Sequence, residues 1–187
     1  MRIDRLTNQL QVALSDAQSV AVGRDHNQLD PLHVLQALLD QQGGAVRPLL
    51  ASAGFDIAGL RNDLTKSIEA LARVGSPTGD INMSPGMARL LNLADKQAQD
   101  DGDKFISSEA LLLAAIKEGS SSLGSLLTKY GSERDLKAAI DRIRGGETID
   151  DPDAEGNRQA LEKYTVCLLN TYYPAKQPLS MDPWPGP

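Results

Sequence analysis

The segment "LDPLHVLQALL" at residues 29–39 returns at residues 106–116 as "ISSEALLLAAI". Leu29 and Ile106, Leu35 and Leu112, Ala37 and Ala114, and Leu39 and Ile116 all stand 77 positions apart with no gap. The offset reaches upstream through Thr7 and Ser84, Leu14 and Leu91, Ala17 and Ala94, and Ala21 and Ala98. Downstream it joins Leu49-Leu50 to Leu126-Leu127 and Gly54 to Gly131, and after the loss of one residue Leu60 to Leu136 and Leu64 to Ile140. A fixed period of this length is the mark of a tandem duplication, so the fold has to be two copies of one unit.

Each copy reads as four helices, because its apolar residues recur at helical spacing and the breaks carry capping residues. The first helix is expected over about 5–22, with Gly23 as its stop. The second opens at Asp30-Pro31, where Asp caps the free amides and Pro takes the first helical position, and ends at Gly43-Gly44. Helices at 46–53 and 57–72 complete the unit, and "RVGSPTGDIN" at 73–82 reads as a connecting loop. Ser84-Pro85 repeats the cap-then-proline start and identifies Thr7 as a cap by its register. The second copy's helices fall near 84–100, 107–118, 121–130 and 133–144, and no segment calls for a strand.

The expected fold is therefore all-α. Two four-helix pseudo-repeats, about 1–75 and 83–146, pack with pseudo-twofold symmetry into one domain over 1–146. A groove between the repeats is the natural place for a ligand. Residues 147–187 read as an acidic linker followed by the Pro-rich tail "PAKQPLSMDPWPGP", whose five prolines in 14 residues exclude helix and sheet.

Composition narrows the function. With 25 acidic against 19 basic residues, net charge −6, nucleic acid is a poor partner. No apolar run is long enough for a membrane span or a signal peptide, which predicts a cytoplasmic protein. The single cysteine, Cys167, cannot form an internal disulfide and reads as a buried or incidental thiol. Phosphate-binding Gly-rich loops ending in Gly-Lys-Ser/Thr are absent, so the chain is not expected to be an enzyme, to hydrolyse ATP or to hold a cofactor or metal. His26 and His33 lack companions at ligand spacing and read as structural. The acidic runs Asp100-Asp101, Asp103 and Asp150-Asp151 read as solvated loops.

"RLTNQLQVALSDAQSVA", "LDPLHVLQALLDQ", "GDKFISSEALLLAAI" and "AIDRIRGGE" together resemble the duplicated amino-terminal domain of the Clp/heat-shock-100 family of AAA+ unfoldases, in its ClpB-type disaggregase branch. The resemblance spans about residues 1–166, including "GNRQALEKYT", which looks like a lead-in to a nucleotide-binding module. It implies a substrate-recognition domain of an ATP-dependent stress-response chaperone that binds unfolded or aggregated polypeptides and passes them to a threading motor. The fragment would be monomeric. The parent would be a hexameric ATPase using ATP and magnesium and working with an Hsp70-type chaperone system.

The family implicates a threonine in its first-helix "LT" motif and the acids of its "GD-x-F-I-S-S-E" motif in handling substrate, which here are Thr7, Asp103 and Glu109. Leucines around the fifth and sixth helices are the other family feature. Here Leu93 keeps one, while Gln97 and Ala110 depart from the pattern, which implies a shallower or displaced groove. Each of the three also has a structural reading: Glu109 lies in a helix first turn favoured by the dipole, Thr7 caps a helix and Asp103 suits a turn. The alternative functions are an adaptor-docking domain of a Clp protease ATPase subunit and, in a different class, a small-ligand carrier or enzyme using the inter-repeat groove. After about residue 166 the chain departs from the family as "VCLLNTYYPAKQPLSMDPWPGP", which reads as a truncated or out-of-frame end.

Overall fold

In the computed structural model, residues 3–74 and 81–158 are described, and the expectations for Cys167 and the Pro-rich tail lie outside them. A 3-10 turn, Ile3–Arg5, leads into α1, Asn8–Gly23, followed by β1, Gln28–Leu29. Helices α2, Pro31–Asp40, α3, Val46–Ser52, and α4, Ile57–Glu69, finish the first repeat. After β2, Asn82–Met83, the second repeat runs through α5, Pro85–Asp100, α6, Ser108–Glu118, α7, Ser122–Tyr130, and α8, Glu133–Arg144. The order matches the duplicated sequence helix for helix.

Local chemistry sets the starts. Thr7, Asp30, Asp56, Ser84, Ser107, Ser121 and Ser132 each hold extended backbone and accept a first-turn amide with the side chain. At α2 the box is closed by His33, whose Nδ1 accepts from the Asp30 amide at 3.0 Å. Gly23 is the last helical residue and not the stop; the chain leaves the helix at Arg24, whose amide reaches back to the Ala21 and Val22 carbonyls. At α6 and α8 the stops are Gly119 and Gly145, both left-handed, with φ of 61° and 58°.

Leucines that the repeat pairs, such as Leu35 with Leu112, Leu50 with Leu127 and Leu60 with Leu136, are all buried in one continuous core. At about 1.5–3 kcal/mol for each large apolar side chain, this shared core is the main force joining the repeats. Helix α3 packs on α8, and α4 on α7. Tyr130 Oη donates to Asp63 Oδ2 across that junction at 2.7 Å, and the Gly131 that follows lets the Phe55 ring lie where a Cβ would stand.

The expectation of no strand is corrected by two short parallel contacts. Gln28-Leu29 pairs with Asn82-Met83, and Leu6 bridges Ile106. Advancing Leu6 and Leu29 by the repeat offset gives Met83 and Ile106, so each contact is the other with the repeats exchanged. Their hydrogen bonds exchange too: the Thr7 amide donates to the Ile106 carbonyl at 3.0 Å, and that of Ser84 to the Leu29 carbonyl at 3.1 Å. Pairs this short form only when the two repeats have docked. No helix among the described residues is long and apolar enough to cross a membrane.

The packed unit also extends past the expected boundary at 146. Ile149 is buried, Glu155 is 1% exposed, and a helical turn begins at 154, so 147–158 is part of the domain and not a free linker.

Candidate functional site

Five residues carry the expected substrate contacts: Thr7, Leu93, Asp103, Glu109 and Ala110. The fold separates them into two places. Thr7, Asp103, Glu109 and Ala110 are at most 4% exposed, while Leu93 is partly open on α5.

The buried group assembles around Arg144, the last residue of α8. Its Nε donates to Glu109 Oε2 at 2.6 Å, its Nη1 to Asp103 Oδ2 at 2.8 Å and its Nη2 to Ser107 Oγ at 3.1 Å. Asp103 spends its other oxygen on the Ile149 amide at 2.8 Å. Arg158 adds a second guanidinium 3.2 Å from Glu109 Oε1. From the segment after α8, Glu155 enters between the starts of α1 and α6, accepting from Thr7 Oγ1 at 2.5 Å and from the Ser108 amide at 2.9 Å.

Three carboxyl groups thus share a dry pocket with two guanidinium groups. Burial would pull the Arg144 pKa down, but Glu109 and Asp103 outweigh it and hold it above its usual value. Glu155 is pushed up, first by burial, against the hydrogen bond from Thr7, with the nearby Glu109 charge adding to the rise. Breaking a buried pair strands an uncompensated charge, so the cluster fixes how α1, α6 and α8 meet. Arg144 alone of the cluster borders an open cavity, beside α8, while Thr7, Asp103 and Glu109 offer no surface to a polypeptide.

An open groove lies on the other side of the α5–α6 pair. It encloses about 400 Å³ between Arg89, Leu93, Lys96 and Gln97 of α5 and Ala114 and Lys117 of α6. Leu93 and Ala114 give it an apolar strip. Gln97, nearly buried, ties its floor by donating to Asp101 Oδ2 at 2.8 Å and accepting from Lys117 Nζ at 2.6 Å. Arg89 pairs with Glu118 at 2.8 Å, leaving Lys96 exposed on the rim. This groove lies within the second repeat, whereas the expected one lay between the repeats.

Arg144, Ser108, Glu155 and Arg158 escape sequence reasoning, whereas Ser107 is legible as the cap of α6. Arg144 carried a signal: it continues the apolar stripe of Leu136 and Ile140 at i+4 spacing, and the register pairs it with Ile68. A charge on a core stripe calls for a buried partner. Nothing local points to Glu155.

No cluster of metal-ligating side chains occurs among the described residues. The first repeat fills the corresponding crevice with histidines. His26 corresponds to Asp103, and His33 to Ala110. His33 Nδ1 accepts from the Asp30 amide, so its proton sits on Nε2 and donates to His26 Nδ1 at 2.8 Å. Burial first, then the neighbouring positive charges, lower the His33 pKa to about 4, and burial also lowers that of His26.

A family model, the Clp repeat (R) N-terminal domain, matches residues 5–130. Chaperone protein ClpB of Pseudomonas putida is 57% identical over 169 residues, covering 90% of this chain and 20% of the relative. The chain thus spans about a fifth of the length of the curated relatives it matches. The N-terminal domain of Hsp104 from Candida albicans shares the fold with a TM-score of 0.70 at 21% identity, covering 80% of this chain and 98% of that one. So does a ClpV N-domain solved in complex with a VipB peptide, with a TM-score of 0.62 at 24% identity over 82% of this chain and 91% of that one. With the family model covering more than half of its residues, this chain belongs to the Clp repeat N-terminal domain family.

Proposed function

We propose that this domain is the substrate-recognition module of an ATP-dependent disaggregase, and that the α5–α6 groove takes extended segments of unfolded or aggregated polypeptide. The observation that carries the reading is Leu93, partly open over an apolar strip with Ala114 and flanked by lysines. An extended segment can lay a small apolar side chain on that strip and an acidic one against the rim. One such contact is weak. Repeated around a hexamer it would gain by effective concentration before the polypeptide passes to the motor. ATP, magnesium and an Hsp70-type partner belong to that parent assembly.

In this reading Leu93 contacts substrate. Thr7, Asp103, Glu109 and Ala110 act through position, by holding the start of α6 against α1 and α8. Support for a peptide as ligand comes from the ClpV N-domain of the same fold, which was solved with a VipB peptide. That neighbour also favours a second reading, docking of one dedicated adaptor. The test is binding of labelled, permanently unfolded casein by fluorescence anisotropy. Wild type should bind, and Leu93→Asp should weaken binding about tenfold, the effect of losing about 1.4 kcal/mol of apolar contact. Equal binding by the variant would remove the groove from the account. Failure of wild type to bind any unfolded chain would leave the adaptor reading.

A further inference from the structure

The segment after α8 is tied down almost entirely by polar contacts. From Asp150 to Arg158 it contains no large apolar residue, and Ile149 is its single greasy anchor. The Ile149 carbonyl accepts from the Lys104 and Phe105 amides at 3.0 and 3.2 Å. The Pro152 carbonyl accepts from the Asn8 amide at 2.9 Å, and Asp153 Oδ1 from Asn8 Nδ2 at 2.6 Å. Asp151, Asp153, Gly156 and Asn157 face solvent. Two side chains reach the interior: the Glu155 carboxyl joins Thr7 of α1 to the Ser108 amide of α6, and the Arg158 guanidinium lies 3.2 Å from Glu109 Oε1.

A segment that buries one isoleucine and otherwise trades water for hydrogen bonds is drawn from the low-stability end of a fold. We propose that residues 149–158 are a releasable strap, latched by Glu155 between the starts of α1 and α6, that opens without unfolding the eight helices. Docked, the strap seals Thr7, Ser108 and Glu109 from solvent. Opening exposes the polar starts of both helices, which lie away from the Leu93 groove. The strap therefore stands whether or not the groove binds polypeptide.

Hydrogen exchange on the full chain tests this with the Asn8 and Ser108 amides as reporters of the strap and the Leu112 and Ala114 amides as reporters of the core. In wild type, strap reporters should exchange through an opening insensitive to low denaturant, while core reporters accelerate steeply with it. Glu155→Ala should speed the strap reporters at least about tenfold and leave the core reporters unchanged. If Ser108 tracks Leu112 at every denaturant concentration in wild type, the strap does not open alone and the proposal fails. It fails equally if Glu155→Ala leaves Asn8 and Ser108 as slow as before, or speeds all four amides by one factor.

Discussion

The two repeats place equivalent backbone around equivalent crevices and fill them with opposite chemistry. In the first, His26 and His33 share a proton with Ile68 at the position that matches Arg144. In the second, Asp103 and Ala110 replace the histidines, and Arg144 draws Asp103, Glu109 and Ser107 into one ion cluster. The neutral crevice is closed by its own repeat. The charged crevice is closed by residues 149–158, so only the second copy couples its core to the segment that leaves the domain. A duplicated core can thus keep its leucines and let one polar site diverge, with His26 Nε2 left buried and unpartnered in the first crevice while Arg144 gathers its acids in the second.

The sharpest contrast should come from removing a partner. Arg144→Met leaves Asp103 buried without its cation and Glu109 with Arg158 alone, and should cost about 3–5 kcal/mol in urea unfolding. Combining it with Asp103→Asn and Glu109→Gln should recover most of that loss. If Arg144→Met were neutral alone, the second crevice would be no more demanding than the first.

The histidine crevice should instead show itself through pH. Both histidines are neutral when folded, with pKa values depressed below the ordinary 6.5, and His33 reaches about 4. The unfolded chain takes up protons first, so this contribution is complete above pH 6.5 and is lost as pH falls toward 4. Roughly 3 kcal/mol is the ceiling set by His33. Thermal melts from pH 7 to 4.5 should show the decline, and a His26→Leu/His33→Leu pair should flatten it.

Much of this fold can be read from its sequence because its signals are local. Asp30-Pro31 and Ser84-Pro85 announce helix starts within two residues, and the leucine register identifies the core. What escapes is set by docking. The β1–β2 pair has no strand-length pattern of its own, and Gly23 fails as a stop because α1 holds one more residue before Arg24 caps it. Thr7, Asp103 and Glu109 are conspicuous as motif residues, yet their burial depends on Glu155, which lies 148 positions from Thr7. Their structural readings hold for Thr7, which caps α1, and for Glu109, which lies in the first turn of α6.

Smaller effects refine the comparison. Ser84→Ala removes an N-cap and should cost about 1 kcal/mol, whereas Thr7→Ala removes its repeat mate plus the bond to Glu155 and should cost about twice that. Equal losses in chemical denaturation would mean that the Glu155 contact adds nothing. Leu93→Ala, at a partly open site, should change stability by no more than about 0.5 kcal/mol while weakening polypeptide binding.

The proposed polypeptide-binding groove lies, among the described residues, in the second repeat. Amide and methyl NMR of the full chain titrated with unfolded casein tests it residue by residue. Shifts should concentrate at Leu93, Lys96, Ala114 and Lys117 and spare their repeat mates Asp16, Ser19, Ala37 and Asp40. Shifts at the mates with silence in the groove would contradict it, as would a response confined to the Arg144 cluster.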